Sequence, residues 1–395
     1  MGHSELTIGK EHRIGTERRI GDEGGVDVSG SAHDRGFMRR ALRLAERGRG
    51  HVSPNPLVGA VLVQDGEIVG EGAHLKVGGP HAEAHAIAAA GPQARGSTLY
   101  ITLEPCSHHG STPPCAEAII KAGIRRVICA IQDPDERVRG RGIQLLTEAG
   151  IEVKTGMLKA EAERQNAAYL KHRRSGLPHV TLKLGQSLDG IIATRTGASR
   201  WITSERSRRH AHRVRAQVDA VVVGAGTVAV DDPRLDVRHV RGPDPSVFVV
   251  DGKLSTSPDA CVFRECDATV LTAKSAHADR VDRFRRAGVE VWTFDHVDGI
   301  IDLRDITARA AQEGVMSILI EGGRSLAAAA LRDHIVDEVC IYVAPLLIGD
   351  GVGSIGDLGV DELPQAVQLE QIKTRRLGAD LLYTATVRYS CSRES

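Results

Sequence analysis

Four residues in one stretch have the types and spacing of a hydrolytic zinc site: His81, Glu83, Cys106 and Cys115. The first two fall in Pro80-His81-Ala82-Glu83. Cys106 ends Glu104-Pro105-Cys106, and Cys115 follows after eight intervening residues that close with Pro113-Pro114. Zinc takes neutral imidazole and thiolate well, and a catalytic zinc keeps three protein ligands and one open position. Two thiolates balance the charge of the ion. Water at the open position ionises near neutral pH, at roughly pKa 7 against about 15.7 in bulk. It can attack an amidine-like carbon that bears an amino group. Glu83, two residues from a ligand, is placed to take the water proton and hand it to departing ammonia.

Other uses of these residues weigh against this one. A metalloprotease helix pairs His81 with His85 only through His-Glu-x-x-His, and the Glu here is at the wrong position. A structural zinc needs a fourth ligand, which His85, His108 or His109 would supply. Pro80 suits the first turn of an Ala-rich helix, His81 to Ala90, and Pro113-Pro114 precedes a second, Cys115 to Ala122. Both segments then aim a helix N-terminus at the metal, which favours bound thiolate.

The rest of the chain must hold that stretch in place. Its 395 residues are enough for two or three domains. Lys plus Arg and Asp plus Glu each number 51, so the formal charge is zero and lacks the basic excess of a bulk nucleic-acid binder. No window approaches eighteen consecutive apolar residues, so no membrane-spanning helix is expected. The opening residues, Met1 to about Gly30, are rich in Gly, Arg and Glu and lack the apolar core of a secretory signal. They read as part of a disordered extension, residues 1–34. Of seven cysteines, two belong to the zinc set. Cys129 and Cys340 read as buried thiols, and Cys261, Cys266 and Cys391 have no assignable role. The count fits a reducing cytoplasm.

A helix is expected over 35–48, with Phe37, Met38, Ala41, Leu42 and Ala45 on one face. Asn55, in Ser53-Pro54-Asn55-Pro56, is either a turn residue or a ligand-contacting amide. Strands Leu57–Val63 and Glu67–Gly70 meet at a hairpin, Asp65-Gly66. Strands at 98–103, 126–131 and 151–155 alternate with helices, one at 142–149, which implies a mixed sheet between helical layers. A helix over 160–173 leads to a linker, Ser175-Gly176-Leu177-Pro178. The second half opens with strand 180–184 and a loop, 185–190. Ser204 caps a basic helix to Ala216. Gly224-Ala225-Gly226 follows an apolar strand, but Asp231-Asp232-Pro233 stops any helix too soon for a dinucleotide fingerprint. Glu321-Gly322-Gly323, between a strand and a helix, is either an anion cradle or a plain tight turn. Strands at 246–250, 268–272, 289–294, 338–343 and 380–389 continue an α/β domain, the last two pairing antiparallel.

These motifs carry a resemblance. The first half resembles the cytidine-deaminase-like pyrimidine deaminases. Within them, Ser53-Pro54-Asn55-Pro56-Leu57-Val58-Gly59, Pro80-His81-Ala82-Glu83 and Thr102 to Cys115 resemble the bifunctional riboflavin-biosynthesis deaminase–reductases, the RibD family. Lys183 to Gly190, Ser199 to Thr203, Thr227 to Pro233 and Glu321-Gly322-Gly323 extend it, so it spans roughly residues 35–390. It implies an α/β chain in two parts: a cytidine-deaminase-like three-layer domain, 35–178, then a dihydrofolate-reductase-like α/β domain, 179–395. It implies zinc-dependent removal of the 2-amino group of 2,5-diamino-6-(5-phosphoribosylamino)pyrimidin-4(3H)-one. NADPH then reduces the ribosyl group of 5-amino-6-(5-phosphoribosylamino)uracil to ribityl. By position, His81, Cys106 and Cys115 hold one zinc, and Glu83 shuttles the proton. Asn55 and the loop Ser107 to Thr112 contact the first substrate. NADPH lies against Gly185, Trp201, Thr227, Asp231 and the run Gly323, Arg324, Ser325, Leu326. The second substrate lies against Ser199, Arg215, Leu235, Arg238 and Glu321. Lys183 positions the ribosyl oxygen that gains a proton, and Arg215 and Arg238 suit its 5'-phosphate. The chain departs from the family pattern at Gly322, Arg324 and Arg234, and Arg324 is expected to add affinity for NADPH. Members are commonly dimers or tetramers, so a cytoplasmic homo-oligomer acting on a small molecule, with no nucleic acid and no membrane, is implied.

Two rivals remain. A tRNA-type base deaminase shares the zinc set but needs a basic groove and has no use for a hydride-transferring domain. A zinc-stabilised scaffold would unfold without metal yet turn nothing over.

Overall fold

The computed structural model describes residues 31–107, 114–136 and 138–389. Helix α1 (Ala32–Ala45) opens the chain, three residues before the expected start. The reason is a capping box: Ser31 accepts from the Asp34 amide, and Asp34 accepts from the Ser31 amide. Residues 31–34 of the expected extension therefore belong to this helix, and residues 1–30 lie outside the described residues.

The first half follows as β1 (Gly59–Gln64), β2 (Glu67–Ala73), α2 (Ala82–Ala90), β3 (Thr98–Leu103), α3 (Cys115–Ala122), β4 (Arg126–Ile131), α4 (Arg141–Glu148), β5 (Glu152–Thr155), α5 (Lys159–Gln165) and α6 (Ala167–Ser175). The sheet order is β2-β1-β3-β4-β5. β1 is antiparallel to both neighbours, and β3, β4 and β5 run parallel. Side chains alternate faces along a strand. Ala60 and Leu62 of β1 pack with Ala82, Ala86, Ile119 and Leu146, under α2, α3 and α4. Val61 and Val63 pack with Met38, Leu42, Tyr169 and Leu170, under α1 and α6. The result is the expected three-layer domain.

Glycine sets the distance between α2 and the sheet. A Cβ on Gly72 would meet the Ala82 carbonyl at 2.0 Å, and one on Gly70 the Ala86 carbonyl at 2.3 Å. The glycines of β2 and alanines of α2 thus allow close contact, which fixes where α2 begins and where His81 stands.

The helix expected over 160–173 is two helices, broken at Asn166. The Asn166 side chain pairs with the Leu57 backbone, Oδ1 accepting from its amide at 2.8 Å and Nδ2 donating to its carbonyl at 2.9 Å. That bidentate bond fixes the loop carrying Asn55.

The second half contains β6 (His179–Ser187), β7 (Ile191–Thr194), α7 (Glu205–Arg215), β8 (Ala220–Gly224), α8 (Ala225–Asp231), β9 (Ser246–Val250), α9 (Cys261–Glu265), β10 (Ala268–Ala273), α10 (Ala278–Arg286), β11 (Glu290–Phe294), β12 (His296–Val297), β13 (Ile300–Ile301), α11 (Leu303–Gln312), β14 (Ser317–Ile320), α12 (Arg324–Arg332), β15 (Glu338–Ala344), β16 (Gly351–Gly353), β17 (Gln368–Leu377) and β18 (Asp380–Arg388). Its main sheet has nine strands in the order β11-β10-β9-β8-β14-β6-β15-β18-β17. β11 through β15 are parallel, and β18 and β17 are antiparallel. Parallel strands covered on both faces read as continuous apolar runs. In β8, Ala220 and Val222 face α11 and α12, while Val221 and Val223 face the opposite core with Val228 and Val262.

Two expectations need correction. Residues 185–187 are strand, because β6 continues to pair with Tyr342, Val343 and Ala344 of β15. β17 was not expected at all. It is a mostly exposed edge strand, rich in charge and interrupted by a bulge between Glu370 and Lys373.

The halves meet through ordered contacts. Lys171 Nζ lies 2.6 Å from Asp337 Oδ2, and Met316 of the second half packs into the first-half core with Met38, Tyr169 and Leu170. No helix among the described residues is long and apolar enough to cross a membrane.

Candidate functional site

In the first half, His81 is the N-cap of α2 and Cys115 is the first residue of α3, while Cys106 follows β3. His81 Nδ1 lies 3.2 Å from Cys115 Sγ and 3.6 Å from Cys106 Sγ. Zinc bonds of ~2.0–2.3 Å at tetrahedral angles give ligand separations of roughly 3.5–3.8 Å, so the three atoms fit one zinc ion. They form a cluster of three among the described residues, and His85 is not part of it. His108 and His109, the other candidate fourth ligands, lie outside the described residues, as does 108–112 of the expected substrate loop.

Both thiols are conditioned by their surroundings. The Cys106 thiol is held well below its ordinary range, first by a hydrogen bond from the Cys115 thiol, whose own pKa is pushed up. The Cys115 amide, at the start of α3, also points at Cys106 Sγ from 3.3 Å. Glu83 is buried in the first turn of α2. Burial, and then the Cys106 thiolate, push its carboxyl up to about 7. A carboxyl there exchanges a proton near neutral pH.

Asn55 is 3.1 Å from His74 Nε2, and His74 Nδ1 is 3.2 Å from the Pro80 carbonyl. Its ring stands edge-on to His81 at 5.4 Å. Sequence reasoning passed over His74, which links Asn55 to the metal helix.

Glu104 was also missed. Its buried carboxylate accepts four amides: Oε1 from Gly142 and Ile143, Oε2 from Asp133 and Gly140, at 3.0 to 3.3 Å. It therefore ties the loop after β4 and the start of α4 to the residue pair that delivers Cys106. A Cβ on Gly142 would meet the Pro105 carbonyl at 2.0 Å, so that approach requires glycine. Glu104→Gln turns an NH2 group toward two donors. It should destabilise the chain by at least about 2 kcal/mol in denaturant unfolding and loosen zinc in a chelator competition. Unchanged values in both measurements would contradict this role.

The second half has a cleft of about 720 Å3, within the rough 300–1,000 Å3 range of small-molecule pockets. It opens where β8 and β14 end, at the carboxyl side of the parallel strands. The structure brings to it Lys183, Gly185, Ser199, Trp201, Arg215, Thr227, Asp231, Leu235, Arg238, Glu321 and Gly323. Arg324, Ser325 and Leu326 are not in its wall. Leu326 packs in the core, and Arg324 runs beside Gly356, so any effect of its charge on a cleft ligand acts at a distance. α8 ends at Asp231 after seven residues, as the Asp231-Asp232-Pro233 stop implies.

Lys183 lies in the middle of β6, and its Nζ is 3.3 Å from Glu321 Oε2. Arg215 grips the same carboxylate at two points, Nε to Oε1 at 2.9 Å and Nη2 to Oε2 at 3.0 Å. A third bond runs from its Nη1 to the Asp236 carbonyl at 2.6 Å. The guanidinium expected to meet a phosphate is thus engaged mainly with Glu321. Burial alone would raise the Glu321 pKa; Arg215 and then Lys183 outweigh it and hold the carboxyl far below its ordinary range. Trp201 is 68% exposed, with the Arg208 guanidinium 4.2 Å over its ring. Arg200, Arg208, Arg209, Arg234 and Arg238 line the cleft, which suits a ligand carrying several phosphates.

A family model described as the cytidine and deoxycytidylate deaminase zinc-binding region matches residues 31–131. One described as the RibD C-terminal domain matches residues 178–383. The riboflavin biosynthesis protein RibD of Bacillus amyloliquefaciens is 43% identical over 357 residues, covering 88% of this chain and 95% of that protein. RibD of Escherichia coli K12 is 40% identical over 362 residues, covering 88% and 98%. Acinetobacter baumannii RibD superposes with a TM-score of 0.80 at 34% identity, over 90% of this chain and 99% of that one. A diaminohydroxyphosphoribosylaminopyrimidine deaminase/5-amino-6-(5-phosphoribosylamino)uracil reductase from Thermotoga maritima gives 0.77 at 33%, over 90% and 98%.

Proposed function

The chain belongs to the RibD family, and from that premise we propose how its residues divide the two reactions of riboflavin biosynthesis. It is a bifunctional enzyme, a zinc-dependent deaminase and an NADPH-dependent reductase. The observation that carries the reading is the presence, in one chain, of a His-Cys-Cys cluster with a buried Glu beside it and a basic cleft built on a second sheet.

Residues 31–178 carry the deaminase and 179–395 the reductase. His81, Cys106 and Cys115 hold one zinc per chain. When bound, the metal supplies Lewis acidity that brings a water pKa to about 7. Glu83 accepts a proton at its carboxylate and returns it to the departing amino group of the diaminopyrimidine. Asn55, held by His74, donates its amide to the ring. α2 and α3 keep the carboxyl and the thiolates in register while this proton moves.

In the second half, NADPH lies against Gly185, Trp201, Thr227, Asp231 and the backbone amides that open α12 at Gly323. Bound there, it supplies hydride to the ribosyl carbon. Glu321 holds the Lys183 ammonium in place, and Lys183 orients the ribosyl oxygen that takes up a proton. Ser199, Leu235 and Arg238 line the substrate's path, with Arg215 positioning Glu321. The chain acts as a homo-oligomer, dimer or tetramer, in the cytoplasm. Exposed Leu188 and Leu347, on adjoining loops, support a self-contact.

One assay tests the pair of activities. With 2,5-diamino-6-(5-phosphoribosylamino)pyrimidin-4(3H)-one, ammonia should be released without nucleotide. NADPH absorbance should then fall after addition, one equivalent per ammonia. Ammonia release with no later NADPH consumption would remove the reductase half of the reading.

A further inference from the structure

The wall of the reductase cleft contains a buried imidazole to which the two reactions above assign no role. His212 lies on α7, four residues after Arg208 and three before Arg215, so the three share one helix face. It lines the cleft while being only 8% exposed. Its Nδ1 accepts the Arg238 backbone amide at 3.1 Å. A backbone N–H can only donate, so Nδ1 carries no proton and the neutral ring carries its hydrogen on Nε2. That Nε2–H has no partner among the described residues. The atom is not closed off from solvent, so this donor opens onto the cleft, where a ligand oxygen can accept from it.

Its surroundings define the acceptor. The ring stands edge-on to His239 at 5.3 Å. Arg209 Nε donates to the His239 carbonyl at 3.1 Å. Arg238 extends beside it, with Nη1 3.1 Å from Asp236 Oδ1. Arg215, one turn along, is held by Glu321 and the Asp236 carbonyl. Burial, then Arg215 and Arg238, push the His212 pKa down to about 4, so it enters the site as a neutral donor. A neutral donor among arginines adds a directed hydrogen bond without further cationic repulsion. A phosphate oxygen is the acceptor such a group of donors takes.

Resting on the reductase reading above, we propose that His212 binds the 5'-phosphate of the phosphoribosyl substrate through Nε2–H, sharing it with Arg238. It is a binding residue that helps distinguish phosphorylated from unphosphorylated substrate, and it also fixes the Arg238 backbone through Nδ1.

The two nitrogens can be tested separately in the full chain. His212→Asn keeps an acceptor where Nδ1 stood and removes the outward donor. His212→Gln places an amide N–H where Nε2–H stood. Reduction is followed with 5-amino-6-(5-phosphoribosylamino)uracil and with the same compound lacking phosphate. In His212→Asn, KM for the phosphorylated substrate should rise about 10- to 100-fold, the loss of one hydrogen bond to a charged group. KM for the unphosphorylated compound and the Kd for NADPH should stay within about twofold of wild type, and inorganic phosphate should lose potency as a competitive inhibitor. His212→Gln should recover most of the loss. An unchanged KM in His212→Asn overturns the proposal. Equal losses for both substrates, or weakened NADPH binding, overturn it by making His212 merely structural. Wild-type enzyme that reduces neither compound would sink the reductase reading itself, and the proposal with it.

Discussion

Glu83→Gln is expected to cut deamination by roughly 10²- to 10⁴-fold, the usual contribution of a positioned acid–base group. The amide has the same shape, so it should fill the same buried space in the first turn of α2. It cannot take a proton and give it back. Zinc content should be unchanged, because His81, Cys106 and Cys115 are untouched. Reduction of the uracil intermediate should also be unchanged, because its residues sit on the other sheet. Ammonia release from the diaminopyrimidine, normalised to zinc per chain, measures the effect. Turnover within about threefold of wild type, with zinc intact, would remove Glu83 from the mechanism and with it the zinc-hydrolase reading.

The zinc cluster was legible because its chemistry demands residue types rare in combination. Prolines ahead of both helices, Pro80 and the pair Pro113-Pro114, also revealed how those residues are held. The parallel core of the second sheet was legible for a similar reason: strands covered on both faces, such as Ala220–Gly224, are apolar throughout. What stayed hidden depends on side chains that meet only in the fold. Asn166 reads as an ordinary helix residue, yet it breaks the helix because its amide finds the Leu57 backbone 109 residues away. Glu104 reads as part of the Cys106 motif, yet its four amide donors come from residues 133–143. β17 is hidden because an edge strand open to water needs no apolar alternation, and its register is set by β18. The resemblance places Arg215 against the substrate, and its guanidinium chemistry suits a phosphate. Only the fold shows that Glu321, 106 residues on, takes most of its guanidinium.

That pairing makes Glu321→Gln the most damaging single change expected in the second half. It removes the charge that a buried Arg215 and a partly buried Lys183 share. Removing one partner of a buried pair leaves an uncompensated charge, at a cost of about 3–5 kcal/mol. The loss should appear in urea unfolding at pH 7. Lys183 also loses the anchor that aims it at the substrate, so reduction should fall by roughly 10²-fold or more while ammonia release persists under folding conditions. The pH dependence separates an ion pair from simple packing. Arg215 and Lys183 hold the Glu321 carboxyl well below its unfolded value, despite burial. A group with a depressed folded pKa contributes stability that is fully present above the unfolded pKa, about 4.3, and is lost as pH falls toward the folded one. The stability gap between wild type and Glu321→Gln should therefore be flat from pH 7 to about 5. Below about pH 4.3 it should shrink by up to about 1.4 kcal/mol per pH unit, as the unfolded wild-type chain takes up the proton that the folded chain excludes. A gap that stays constant down to about pH 3 would mean that Glu321 contributes shape rather than charge, and Lys183 would then need another reason to stand where it does.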